Sequence, residues 1–316
     1  MNVTAAMNDF GDLRIKLSSS LHQVLKFNKF TTSAVLSVFA ILPITIANGS
    51  PAEAAQVKII PASPKLGQTI SVEVTPDNPA NANNLKVVSG DKTYPIFPIG
   101  ANKYRAFVPT TPLQKSGRRV IRVYGDGSTR NLAVWVRYRK FPIQRIWLPK
   151  RKAGTRATKL ELNKVREFKA LQTPTKFWSG IFRRPNGSRI STIYGVRRYY
   201  NGKFANNYYH RGVDYAGGYG SPVIAPAAGR VSLVGRESQG FKVHGNVVGI
   251  DHGHGVLSIF MHLNRINVKE GQMVKPGQLI GGIGSTGAST GPHLHWGLYV
   301  NGQAVDPTTW RYTAIK

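Results

Sequence analysis

The chain contains no cysteine. No disulfide staples any part of it, and the count leaves the redox compartment open. Acidic residues are scarce, 14 Asp and Glu against 43 Lys and Arg, which gives a formal charge of +29 over 316 residues. That imbalance points to an anionic polymer as partner, among wall polymer, lipopolysaccharide, acidic lipid and nucleic acid. No nucleic-acid-binding motif accompanies the charge, so nucleic acid is not expected among the partners. A membrane-spanning run is missing too. The apolar stretch at residues 34–47 falls short of the roughly 20 residues that a membrane span needs.

That stretch has another reading. Arg14, Lys16, Lys26 and Lys29 precede it, and Ala52-Glu53-Ala54 follows with a small-x-small cleavage pattern. We read residues 1–54 as a secretory signal peptide. The protein is then secreted across the inner membrane, to periplasm or cell wall, and meets a membrane only if the segment stays uncleaved.

The length suggests two domains. Residues 55–138 read as strand, turn, strand. Ile70, Val72 and Val74 alternate with Ser71 and Glu73, the period of a half-buried strand. Turns at Asp77-Asn78-Pro79, Ser89-Gly90-Asp91 and Gly125-Asp126-Gly127 separate about seven short strands. This fits an immunoglobulin-like β-sandwich without the cysteine pair. No residue in it suggests chemistry. Residues 139–185 form a basic linker, with twelve Lys and Arg against two Glu over residues 139–176. A short helix at 159–171 has Leu162, Val165 and Phe168 on a rough stripe. We expect a solvated linker here, or a basic strap along an anionic polymer. Phe177, Trp178 and Phe182 are expected to pack on the following domain rather than bind sugar. That domain, residues 186–316, has Gly-rich turns and short strands, which makes the whole chain all-β.

The chemistry-bearing residues lie between His210 and His295. The chain reads His210-Arg211-Gly212-Val213-Asp214, Met261-His262-Leu263 and His293-Leu294-His295. His and Asp are ordinary zinc ligands, and a catalytic zinc takes three protein ligands with one position open. On a strand, His293 and His295 share one face, while Leu294, Trp296, Leu298 and Val300 fill the other. Either short motif alone is a weak signal. The setting strengthens them, because Gly284-Ser285-Thr286-Gly287 and Gly291-Pro292 fix a tight backbone path beside the histidines.

Residues 193–307 resemble the lysostaphin-type zinc metalloendopeptidases, which cut peptidoglycan peptides. The matching pieces are Tyr194-Gly195-Val196-Arg197, His210-Arg211-Gly212-Val213-Asp214-Tyr215-Ala216 and Ser221-Pro222-Val223-Ile224-Ala225-Pro226. Gly245-Asn246-Val247-Val248, Met261-His262-Leu263, Gly284-Ser285-Thr286-Gly287 and Gly291-Pro292-His293-Leu294-His295-Trp296 follow in the same order. The resemblance implies a Zn2+ ion held by His210, Asp214 and His295. It implies His262 and His293 as the catalytic, non-ligand histidines, and a β-rich metallopeptidase domain. It also implies a hydrolase of peptidoglycan stem peptides or cross-bridges, working in cell-wall remodelling. In such a mechanism zinc lowers the pKa of a water towards about 7 and polarises the scissile carbonyl. One histidine then serves as base and the other supports the oxyanion or the leaving amine. The family often places an aromatic hydroxyl before the first ligand; Tyr208 and Tyr209 are the candidates here.

The other histidines are expected to be inert. His252 and His254 sit in a turn, and His244 is expected to be solvated and without a partner. Two further functions compete with the enzyme. One is a non-catalytic, wall-bound adaptor of the same fold that activates another wall hydrolase. The other is an anionic-polymer binder that works through the sandwich.

Overall fold

The structure is a computed structural model and describes residues 55–148 and 155–313. The expected signal segment lies outside the described residues. The first domain holds β1 (Gln56–Ile60), β2 (Thr69–Thr75), β3 (Lys86–Ser89), β4 (Lys92–Tyr94), β5 (Ile96–Gly100), β6 (Lys103–Pro109), β7 (Gly117–Asp126) and β8 (Ser128–Val136). They form two sheets, ordered β1-β2-β6-β5 and β4-β3-β7-β8. With the strands lettered in chain order, these are the two sheets of an immunoglobulin sandwich, one of which has gained an extra edge strand. The alternation seen in β2 decides the facing. Ile70, Val72 and Val74 are buried against Val108, Ile121, Val123 and Val136. The expected sandwich is therefore the observed one.

The next segment departs from expectation. Rather than running free, β9 (Ile143–Ile146) pairs in parallel with β11 (Arg197–Tyr200) of the second domain. α1 (Lys159–Lys169) packs on the same domain. Thr158 caps α1, its hydroxyl accepting from the Glu161 N–H at 3.1 Å. Val165 and Phe168 enter the core. A helix this polar is stable only through such packing. The solvated-linker expectation fails because this apolar pair, and Glu161 with it, faces the domain.

The second domain adds β10 (Ile190–Thr192), β12 (Lys203–Phe204), β13 (Val213–Tyr215), β14 (Pro222–Ile224), β15 (Gly229–Gly235), β16 (Asn246–Gly253), β17 (Val256–Ile266), β18 (Met273–Val274), β19 (Leu279–Ile283), β20 (Leu294–Val300), β21 (Gln303–Val305) and α2 (Pro307–Tyr312). Its main sheet runs β10-β13-β20-β17-β16-β15-β18. β21 lies beside β20, and β19 bridges β17 and β14. β20 and β17 sit at the centre, and every residue of β20 is buried. The Asn301-Gly302 turn joins β20 to β21 with φ of 47° and 76°, the left-handed pair that a two-residue hairpin requires.

The two domains share a core. Phe107 leaves β6 of the sandwich and packs among Trp178, Phe182 and Trp310 of the second domain; its ring lies 5.6 Å from Trp310. Trp178 and Phe182 are thus packing residues, as expected. Phe97 stacks on His254 at 4.6 Å, and Arg139 pairs with Asp306 at 2.6 Å. Replacing Phe107 with Ala is expected to cost roughly 3–5 kcal/mol of stability, the usual loss for a buried aromatic. It should also split one urea unfolding transition into two. A single transition at the wild-type midpoint would show that the domains do not depend on this contact.

Candidate metal centre

Strand register assembles the centre. β13 pairs with β20 so that Asp214 lies directly opposite His295. His210 stands just before β13, fixed by the main chain. Its N–H donates to Val196 O at 2.8 Å, and its carbonyl accepts from the Gly195 N–H at 2.8 Å. Gly212 leaves room for this approach, since a Cβ there would meet Trp296 O at 2.4 Å and the His295 ring at 2.7 Å.

Three donor atoms converge. His210 Nε2 is 3.0 Å from Asp214 Oδ1 and 3.1 Å from His295 Nδ1. His295 Nδ1 is 2.9 Å from the same oxygen. The His210 Nδ1–H donates to Ile193 O at 2.9 Å, so Nε2 offers a lone pair rather than a proton. That lone pair faces a carboxylate oxygen and a second imidazole, an arrangement that only a cation satisfies fully. Separations near 3 Å are those of neighbouring ligands about 2.0–2.2 Å from a zinc ion. The residues fit the metal.

Burial tends to raise the Asp214 pKa, but His210 and His295 beside it hold the carboxyl well below the usual range. Burial lowers the His295 pKa to about 4, partly opposed by its hydrogen bond to Asp214. Both directions favour the ligating forms of these two residues, carboxylate for Asp214 and neutral imidazole for His295. Asp214 Oδ2 faces Arg198 Nη2 at 3.6 Å. Arg198 is itself held by Gln144 Oε1 at 3.1 Å and the Tyr200 hydroxyl at 3.3 Å.

His262 and His293 stand next to this triangle, their rings 4.8 Å apart. The His262 ring lies 6.5 Å from that of His295. The His262 Nδ1–H donates to Thr286 O at 2.8 Å, and the His293 Nδ1–H donates to Gly291 O at 2.9 Å. Each keeps Nε2 as its lone-pair nitrogen. Burial, with His293 and His295 nearby, pushes the His262 pKa well below its ordinary value. β17 runs on past His262 to Ile266. His262 adopts φ of 63° within the strand, and the main chain hands its N–H to His244 O at 3.0 Å. The five residues named from the sequence therefore line one cleft of about 450 Å³.

The two candidate tyrosines divide, and His244 departs from expectation. The Tyr209 hydroxyl donates to Ala304 O at 3.0 Å, away from the cleft. Tyr208 does line the cleft, but beside Tyr200, and Arg198 and Tyr200 were readable as one face of the short strand β11. His244 is not solvated. It is 7 % exposed, lines the cleft, and its Nδ1–H donates to Glu161 Oε1 at 2.6 Å. His252 and His254 are buried packing residues. His252 is bonded by Ala228 O and Ser258 Oγ at 2.8 and 2.9 Å, and burial lowers the pKa of both to about 4.

Residues 208–307 match the model of Peptidase family M23. Over 100 residues the chain is 46% identical to an uncharacterized metalloprotease of Haemophilus influenzae, covering 32% of this chain and 20% of that one. It is 42% identical over 100 residues to the peptidoglycan DD-endopeptidase ShyC of Vibrio cholerae, covering 32% of this chain and 22% of that one. The match thus spans about a fifth of these relatives' length. A crystal structure of an M23 peptidase from Pseudomonas aeruginosa aligns with a TM-score of 0.57 at 24% identity, over 78% of this chain and 95% of that one. The shared fold therefore extends beyond the matched segment.

If the triangle is the metal centre, Asp214→Ala should lower the content from about one zinc per chain to near none after dialysis. Gly212→Ala should act likewise by forcing β13 off β20. Full zinc in dialysed Asp214→Ala, read by atomic absorption, would refute the assignment.

Proposed function

We propose that this chain, whose C-terminal region is a peptidase M23 domain, is a secreted zinc endopeptidase that hydrolyses peptide bonds in peptidoglycan stem peptides or cross-bridges. The observation that carries the proposal is the pairing of two sites in one cleft. His210, Asp214 and His295 converge on a metal position, and His262 and His293 present Nε2 beside it.

His210, Asp214 and His295 would hold the ion. Zinc, when bound, supplies Lewis acidity to the scissile carbonyl and a nucleophile at neutral pH. The remaining work falls to the chain. His262 and His293 divide the proton transfers, one accepting from the attacking water and the other supporting the developing oxyanion or returning a proton to the leaving amine. Their carbonyl-bonded Nδ1–H groups hold both rings in the tautomer this requires. Arg198 faces the second Asp214 oxygen and so would orient the first towards the two imidazole donors. The walls around the cleft, from Ile146, Leu148, Tyr200 and Tyr208, exclude water on one side. A net charge of +29 suits retention on an anionic envelope polymer.

The test is digestion of purified peptidoglycan with mass analysis of the released muropeptides. The zinc-loaded chain should free new peptide ends. His293→Ala should keep its zinc and lose roughly 100-fold or more of the rate, the share that a positioned acid–base group contributes. Cleavage at the native rate by His293→Ala would remove that residue from the mechanism. Intact peptidoglycan from several wall types after treatment with the loaded chain would remove the activity itself.

A further inference from the structure

One wall of the cleft is a sheet with a second face. β9, β11 and β12 form three strands in the order β12-β11-β9, and side chains alternate across them. Gln144, Ile146 and Leu148, with Arg198 and Tyr200 of β11, line the cleft. The residues between them therefore point away from it. Ile143 pairs with Arg197 and Arg145 with Tyr199, while Tyr199 pairs with Phe204. With Trp147, which continues the alternation, these six make the outer face, and none of them lines the cleft.

The mechanism above uses nothing of this outer face, yet the face is ordered. The Arg145 guanidinium lies 5.0 Å from the centre of the Tyr199 ring, and that of Arg197 lies 4.9 Å from the centre of the Phe204 ring. The Tyr199 and Phe204 rings are 4.9 Å apart. A guanidinium stacked on a ring is held in place and keeps N–H groups for an acceptor. Beside this ladder Trp147 is 74 % exposed and Ile143 59 %. The Trp147 ring lies over the Asn201-Gly202 turn, where a Cβ on Gly202 would come within 4.0 Å of it. Apolar groups arrayed on one exposed face, rather than scattered, mark a contact surface. Its charge has one sign. Residues 139–148 and 197–209 each hold three Lys and Arg and no Asp or Glu. The partner that fits has flat apolar faces and oxygen-rich edges. A pyranose offers both, with a C–H face for the indole and hydroxyl, acetamido and carboxyl oxygens for the guanidinium groups. Position selects among glycans. β9 is an edge of the sheet, so a strand lying on the outer face has only to pass that edge for an attached peptide to enter the cleft.

We infer that this outer face is a docking platform for the glycan strand whose stem peptide occupies the cleft. Trp147 is the anchor, and Arg145 and Arg197 are the donors. The choice of polymer rests on the endopeptidase reading.

The experiment sets two probes before the zinc-loaded chain: peptidoglycan glycan strands stripped of peptide, and cross-linked stem peptides free of glycan. Binding to the strands is read by calorimetry, and cleavage by mass. Wild type should bind the strands and should cut intact peptidoglycan with a lower KM than the free peptides. Trp147→Ala should weaken strand binding at least about tenfold, the loss usual for an aromatic anchor, and should raise KM on intact peptidoglycan. Its kcat, and its cleavage of the free peptides, should match wild type. Arg145→Gln should weaken strand binding by a smaller factor. Trp135→Ala, which removes an indole 61 % exposed on the sandwich, should leave strand binding unchanged. Equal losses from Trp135→Ala and Trp147→Ala would overturn the platform, as would full strand binding by Trp147→Ala. So would displacement of the strands by an equal charge of single-stranded DNA, since the face would then not distinguish sugar from any other polyanion. Cleavage of the free peptides without strand binding would sink the platform and leave the endopeptidase standing. Strand binding that depends on Trp147, with no peptide cut, would sustain the platform and count against the endopeptidase.

Discussion

Two imidazole nitrogens and one carboxylate oxygen, each about 3 Å from the next, repel one another unless a cation lies among them. The rest of the second domain serves to hold them there. Asp214 and His295 are locked by the β13–β20 register, and β20 is locked by β17 along six paired residues. Behind the metal face, Leu294, Trp296 and Leu298 are fully buried, and the Trp296 indole donates to Ser258 Oγ at 3.2 Å. A one-residue slip of β20 would turn His295 into the core and Trp296 into the cleft. The apolar face thus fixes the register on which the polar face depends.

The same logic extends outward. The sandwich is no loose appendage, because Phe107 completes the core of the other domain and Asn301 Nδ2–H donates to Phe107 O at 2.7 Å. This interface gathers around α2, Trp178 and the β20–β21 turn. The cleft is walled instead by the segment that follows the sandwich, through Gln144, Ile146 and Leu148. The Asn201 side chain ties that segment down, its Oδ1 accepting from the Leu148 N–H at 2.7 Å. The described part of this segment, up to Leu148, thus lies along one wall of the cleft.

How much of this was legible follows from the range of the interactions. The alternation in β2, the Asn301-Gly302 hairpin and the short His and Asp motifs are local patterns, and each lies where the sequence puts it. Asp214 facing His295 was legible only through resemblance, since nothing local relates positions 81 residues apart. Glu161 was illegible for a further reason. It is one of two carboxylates in a strongly basic stretch, where a solvated helix face is the natural expectation. What buries it is a set of backbone N–H groups at 242–244, and main-chain donors leave no mark in a sequence. His244 was misjudged with it, because a histidine is only as solvated as its partner allows. Arg198 and Tyr200 had a signal, their two-residue spacing on one short strand, but that strand is aligned on the cleft by its pairing with the distant β9 as well as with β12.

Scarcity of acid gives the carboxylates their significance. With 14 Asp and Glu among 57 charged residues at neutral pH, 43 of them basic, surface ion pairs would be the cheapest use of each. The described structure instead places several of them inside. Asp214 faces the metal position, Glu161 fixes the 242–244 loop, and Asp251 accepts from the Gly253 N–H at 2.8 Å. Asp306 caps α2 through the Thr308 N–H at 2.9 Å while pairing with Arg139. Glu237 accepts from the Gly287 N–H at 3.1 Å, in the turn that leads to His293. Negative charge is thus used where it orders the main chain, while the far more numerous cations are spread over the surface, the cleft wall and a few buried pairs. On the proposed reading the basic outer surface draws in polyanions over about a Debye length, while burial holds the His262 and His295 imidazoles of the cleft below their ordinary pKa. Under that reading, adhesion would respond to salt while the buried groups of the cleft would respond to it less.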